Sequence, residues 1–264
     1  MARANRHYIP DYIWHITHRC HKQEYLLKFS RDRQRWIYWL FEAKKRYGLC
    51  ILNYVVTSNH IHLLVVDTKK DAISKSIQLI AGRTAQEFNQ RKSRKGAFWE
   101  DRYHAVAVET EQHLVRCLVY IDLNMVRAGV VKHPAEWPFG GYSEILQPPK
   151  RYKLIDQEAL VKKCGITGGT DEFHQTYKHW VNASLNGSAA KREPVWSESI
   201  AVGSERFIEA IREKLGYLAN GRKIVEKDDT LSLREPHVSY STNFDPQNSL
   251  LSFENAYYWN GFVE

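Results

Sequence analysis

No apolar run in the 264-residue chain approaches the ~18 residues needed to cross a bilayer. The opening Met1-Ala2-Arg3-Ala4-Asn5-Arg6 lacks the apolar stretch of a secretory leader. Cysteine is sparse and scattered: Cys20, Cys50, Cys117 and Cys164 form no Cys-x-x-Cys pair. Neither a disulfide framework nor a zinc ribbon is therefore indicated. These absences lead us to expect a protein of the reducing cytoplasm with no membrane association. There is also no internal repeat, which argues against a solenoid.

The remainder is an ordinary soluble composition, 43% hydrophobic and 26% charged. Its charge is unevenly placed. Residues 1–150 carry 24 basic and 14 acidic side chains, a balance of +10, whereas 151–264 carry 14 and 16, a balance of −2. A basic first half suits a polyanionic partner, although a solubilising surface would look the same.

The first 150 residues alternate between two periodicities. Tyr12–His18 is aromatic and β-branched and reads as a strand. A helix follows, with Ser30 as its cap, Asp32 in its first turn, Trp36, Ile37, Leu40, Ala43 and Tyr47 along one side, and Gly48 as its stop. Strands over 49–56 and 60–66 flank the turn Thr57-Ser58-Asn59 and predict a hairpin. Asp71 is placed to cap a second helix carrying Ile73, Ile77, Ile80, Thr84 and Phe88, and a basic loop spans Arg91–Gly96. A fourth strand runs over 103–109, and a third helix from Thr110 to Gly129. Strand-helix-strand-strand-helix-strand predicts an α+β, ferredoxin-like (split βαβ) antiparallel sheet with helices on one face. The other face, or an edge, is then free to hold a site. Pro148-Pro149 marks a boundary between a domain over 1–148 and residues 149–264. The latter are expected to be an accessory helical region, with helices at 156–164, 171–185 and 204–217. A partly ordered tail from about residue 228 ends in the aromatic cluster Tyr257-Tyr258-Trp259.

Two motifs carry chemistry. In His60-Ile61-His62 the histidines are two apart on a strand, so both point to one face, ~6.6 Å apart along it, and can converge on one metal ion. A pair of surface histidines would have the same spacing. In the third helix, His113, Arg116, Tyr120, Asn124 and Arg127 recur at intervals of three and four and form one stripe, beside an apolar stripe of Leu114, Leu118, Ile121 and Met125. Tyr120 thus has polar and cationic neighbours, although a packed tyrosine with a satisfied hydroxyl would also fit there. A phenol, with a pKa near ~10, is a poor nucleophile at neutral pH unless a cation assists. A divalent ion on a scissile phosphate, together with Arg116 and Arg127, would supply that field. Asn124, one turn on, offers a neutral oxygen that can complete the metal site. A tyrosine that attacks a phosphodiester keeps the bond energy in a phosphotyrosine link.

At these residues the chain resembles a known family. Asn59-His60-Ile61-His62-Leu63-Leu64-Val65 is similar to the histidine–hydrophobe–histidine motif of single-tyrosine (HUH-type) transposases. The runs from Tyr120 to Gly129 and from Phe98 to His104 resemble the REP-associated tyrosine transposase branch. The resemblance covers about residues 8–145. It implies a ferredoxin-like catalytic domain that uses Mg²⁺ or Mn²⁺ to cut and rejoin single-stranded DNA beside imperfect hairpins such as REP-like repeats. It further implies His60 and His62 as metal ligands with Asn124 at the third position, and Tyr120 as the nucleophile leaving a 5′-phosphotyrosine and a free 3′-hydroxyl. The chain departs from the family at Thr57-Ser58, where Met-Pro is common, and at Met125, where proline is common. Methionine is expected to keep that helix regular.

For DNA contact, Arg116, Arg127, Arg19 and Arg102 are candidate phosphate ligands. Arg3, Arg6 and Lys22 lie near the first strand, and Arg91, Lys92, Arg94 and Lys95 lie in the basic loop. Trp14, Trp99 and Tyr103 are candidates for base stacking, with core packing the expectation for Trp14. The alternative to a strand transferase is a domesticated, non-catalytic binder of repeat hairpins. A metallohydrolase with no covalent step is a third possibility. Either a monomer or a homodimer is compatible with the sequence.

Overall fold

The computed structural model describes residue 9 and residues 12–186, 192–227 and 230–234. Arg3, Arg6, the tail beyond 234 and the cluster Tyr257-Tyr258-Trp259 lie outside the described residues. The chain runs β1 (Ile13–Arg19), α1 (Ser30–Tyr47), β2 (Cys50–Val56), β3 (His60–Val66), α2 (Ala72–Arg91), β4 (His104–Val108), α3 (Gln112–Asp122) and α4 (Asn124–Arg127). It continues through α5 (Tyr142–Leu146), α6 (Gln157–Lys163), α7 (Gly169–Asn186), α8 (Val195–Glu198), β5 (Ser199–Gly203), α9 (Glu205–Leu215), β6 (Lys223–Lys227) and β7 (Thr230–Arg234).

The first four strands pair in the order β2-β3-β1-β4, all antiparallel, as a split βαβ requires. Register fixes the faces. Thr17 pairs with His62 and Arg19 with His60, so His15, Thr17, Arg19, His60 and His62 share one side. Trp14, Ile16, Ile61 and Leu63 take the other, and all are buried.

The two crossover helices cover that apolar side. Helix α1 buries Trp36, Leu40 and Ala43, and α2 buries Ile73, Ile77, Ile80 and Thr84, on the expected spacing. Gly48, at φ 68°, closes α1 with its N–H on the Lys44 carbonyl. The expected caps differ. Ser30 is the first helical residue rather than the cap, Asp71 makes no side-chain cap hydrogen bond, and Glu111 rather than Thr110 stands at the cap position of α3. Asp32 instead turns inward to pair with Arg91 of α2, tying the two helices together.

Three expectations are corrected. The second face of the sheet is not left open, because α3 crosses it with Tyr120 against His15 and His62. The third helix is not continuous to Gly129. It breaks at Leu123 (φ −78°, ψ 5°), between Tyr120 and Asn124. The C-terminal region does contain α6, α7 and α9 where expected, but it also adds three strands. Among the described residues these extend the sheet to seven strands, in the order β2-β3-β1-β4-β5-β7-β6, with β5 parallel to β4. Two of these strands, β5 and β6, lie in the stretch read as helical and β7 in the stretch read as tail, and five residues are too few to display a clear period.

Candidate active site

The histidine face is the floor of the candidate site. His60 and His62 stand two residues apart on β3 with ring centroids 5.0 Å apart. Each has its Nδ1 tied to the protein. His60 Nδ1 lies 2.7 Å from Asn59 Oδ1 and 3.0 Å from Thr57 Oγ1. His62 Nδ1 lies 2.8 Å from His15 Nε2 and 3.2 Å from Thr17 Oγ1. The ring nitrogen left to either imidazole for a ligand is therefore Nε2. Burial, reinforced by Arg19, Arg127 and Arg192, pushes His60 down to about 3, and burial with the neighbouring histidines holds His62 well below its usual range. Both rings are thus neutral at physiological pH, the form that binds metals.

The opposite wall is α3 and α4. The Tyr120 ring sits 5.9 Å from that of His62 and 6.2 Å from that of His15, on the same side of the sheet as both. Asn124 brings Nδ2 to 3.1 Å from His62 Nε2. Arg127 lays its guanidinium 4.1 Å from the Tyr120 ring centroid and donates from Nη2 to the Tyr120 carbonyl at 2.6 Å. That carbonyl would accept from Asn124 N–H in an unbroken helix, so Arg127 satisfies the group freed by the break. Tyr120 is only 6% exposed. Burial raises its pKa and outweighs the opposing pull of Arg127 and Arg192, so the phenol keeps its proton at rest.

Two imidazole nitrogens and a side-chain amide fit a divalent cation, because the donors converge and both rings are held in the neutral state. A half-turn of the Asn124 amide would present Oδ1 instead of Nδ2. Among the described residues no group of three or more His, Cys, Asp or Glu side chains is arranged to hold a metal. The Asn124 amide would be the third protein donor beside the two imidazoles.

The remaining candidates divide. Arg19 and Arg102 line one surface cleft with Thr17, Glu100, Asp101, His104 and Ser197, at the edge of the histidine face. Arg116 turns away to Thr230 Oγ1 and, at 3.6 Å, to Glu193. Arg91 and Arg94 of the basic loop pair with Asp32 and Glu24. Trp14 and Tyr103 are buried in the core. Trp99 stacks on His18 at 4.1 Å and donates to the Ala81 carbonyl.

Residues that the sequence did not single out complete the surroundings. His15 and Thr17 reach the site through the β1–β3 register, and the spacing His15-x-Thr17-x-Arg19 could have suggested them. Trp196, at the start of the α8–β5 segment, packs its ring 6.0 Å from Tyr120, and Glu193 accepts from Trp196 Nε1. No local pattern in the sequence ties these residues to the motif helix.

Residues 9–124 match the family model described as IS200-like transposases. No curated protein matches the chain. Among solved structures, the chain is similar to a REP-associated tyrosine transposase bound to a REP hairpin, at 20% identity over 59% of this chain and 94% of the other, with a TM-score of 0.47. It is also similar to a protein from Deinococcus radiodurans R1 described as a candidate transposase, at 15% identity over 44% and 91%, with a TM-score of 0.33. The matched stretch, residues 9–124, is similar to an IS200-like transposase and contains the His60–His62 pair, Tyr120 and Asn124.

Proposed function

We propose that this protein cleaves and rejoins single-stranded, hairpin-bearing DNA through a 5′-phosphotyrosine intermediate, with residues 1–148 as the catalytic domain. The observation that carries the reading is the meeting of Tyr120, Asn124 and the His60–His62 pair on one side of the sheet. The phenolic oxygen of Tyr120 bonds to phosphorus, the P–O3′ bond breaks, and a 3′-hydroxyl is released that can reverse the step. Bound Mg²⁺ or Mn²⁺, held by His60, His62 and Asn124, would neutralise charge on the scissile phosphate. Two nitrogen donors suit Mn²⁺ better than the oxygen-seeking Mg²⁺. Arg127 fixes the Tyr120 backbone and adds positive charge beside the ring. Arg19 and Arg102, which line the cleft at the edge of the histidine face, are the proposed partners of backbone phosphates, and Arg116 joins them only if it leaves Glu193. REP-like hairpins are the proposed substrates, on the likeness of the motifs.

One observation favours a second reading, the non-catalytic hairpin binder. Tyr120 is buried beneath Trp196, so cleavage requires that cover to move. A labelled single-stranded hairpin incubated with Mn²⁺ or Mg²⁺ decides between the two. We expect a covalent protein–DNA adduct with the wild type and none with Tyr120→Phe. An adduct that survives this substitution removes Tyr120 from its role. Tight hairpin binding with no adduct at any metal concentration selects the binder.

A further inference from the structure

His15 is fully buried on β1 and has no place in the motifs that define the family segment. Its Nε2 lies 2.8 Å from His62 Nδ1, so one proton must sit between the two rings and one ring must accept it. Which ring accepts decides which nitrogen of His62 is left with a lone pair.

Two observations point the same way. Asn124 Nδ2 lies 3.1 Å from His62 Nε2, and an amide N–H at that distance needs a lone pair on Nε2. His62 must then carry its proton on Nδ1. The same assignment makes His15 Nε2 the acceptor and puts the His15 proton on Nδ1. That nitrogen makes no hydrogen bond of ordinary geometry. Finally, the partner ligand His60 is fixed in the same sense by a different device. The Asn59 Oδ1 at 2.7 Å from its Nδ1 is an oxygen that can only accept.

We infer that His15 is a positioning residue, which accepts the Nδ1 proton of His62 and so holds Nε2 of that ring as a lone pair aimed at Asn124 and a divalent ion. Thr17 Oγ1, 3.2 Å from the same Nδ1, is a second and longer acceptor. Metal-binding imidazoles owe much of their affinity to such a partner on the far nitrogen, and its loss typically costs about 10–100-fold. The inference rests on the proposed metal role of His62, but the tautomer itself is a property of the metal-free protein.

The test uses the full chain. Long-range ¹H–¹⁵N correlation spectra of the metal-free, ¹⁵N-histidine-labelled protein at neutral pH report the tautomer of His62 directly. We expect Nδ1 protonated and Nε2 bare. His62 with Nε2 protonated in the wild type overturns the inference, whatever the metal data. In His15→Phe we expect His62 to become a mixture of tautomers and Mn²⁺ affinity, measured by calorimetry with Mn²⁺ alone, to fall about 10–100-fold. His15→Gln, whose carbonyl oxygen is a replacement acceptor, should recover most of that affinity. An unchanged tautomer and an Mn²⁺ affinity within about twofold of the wild type in His15→Phe would also sink the idea. Failure of the wild type to take up Mn²⁺ defeats the metal role of His62, and the spectra still judge His15.

Discussion

At the scale of single residues, the least expected group is Asp122. It is buried two positions after Tyr120 and accepts from Asn53 Nδ2 at 2.9 Å and from the Tyr177 hydroxyl. Burial outweighs both donors and lifts its pKa to about 7. The carboxyl therefore holds its proton to about pH 7 when folded but only to about 4 when unfolded. Between these values unfolding releases a proton, so this group withdraws stability as pH rises, by up to about 1.4 kcal/mol per pH unit. Asp122→Asn removes the titration. We expect the stability of the variant relative to the wild type to grow between pH 5 and pH 8 in urea unfolding. Parallel profiles for the two proteins would refute the shift. Asn53 owes its pose to a glycine, because a Cβ at Gly141 would come within 2.2 Å of its Oδ1. The sequence displays Asp122 only as one more polar residue of an amphipathic helix, and nothing local indicates that it is clamped.

At the scale of elements, that clamp explains the broken helix. Methionine at 125 led to the expectation of a regular run to Gly129, since no proline interrupts it. Tertiary contacts override local propensity here. Asp122 is held by β2 and α7 on one side of Leu123, and Asn124 is held against His62 on the other. Arg127 then caps the freed Tyr120 carbonyl. The hydroxyl of Tyr177 is the link from α7. Tyr177→Phe strands one oxygen of a buried carboxyl and is expected to cost about 1–3 kcal/mol in denaturant unfolding. A loss below about 0.5 kcal/mol would mean that α7 does not hold the turn through this bond. Strand pairing, by contrast, was legible. The alternation within Tyr12–His18 and His60–Val66 already assigns the two histidines of β3 to one face, because the period of a strand is two.

At the scale of the whole molecule, the boundary at Pro148-Pro149 separates two stretches of sequence that share one sheet. Strand β5 pairs with β4 in parallel, and His104 Nε2 bonds to the Ser199 carbonyl at 2.9 Å across that seam. Trp196, Phe173 and Tyr177, all fully buried, come from beyond the boundary. A chain ending at residue 148 would leave the β4 edge unpaired and uncover the apolar surface that these rings fill. We expect it to aggregate or to lose cooperative unfolding in size-exclusion and circular dichroism measurements. A monomeric, cooperatively unfolding fragment would show instead that the first 148 residues stand alone. Charge acts at the same scale. The excess of +10 in residues 1–150 predicts single-stranded DNA binding that weakens steeply with salt, with a log–log slope of about −0.7 per phosphate contacted. Arg102→Ala should flatten that slope by about one contact, and a slope unaffected by the change would place Arg102 outside the DNA path.

The order of strands and helices in the first half, the faces of β3 and the candidacy of His60, His62, Tyr120 and Asn124 follow from the sequence alone. Each depends on a local period or on a motif contained within a few residues. Only the tertiary structure decided that His15 would meet His62, that α3 would break at Leu123, and that Trp196 would cover Tyr120. The two ring contacts join residues 47 and 76 positions apart along the chain. Their geometry is set by strand register and by packing across the sheet, and neither leaves a trace in the spacing of neighbouring residues.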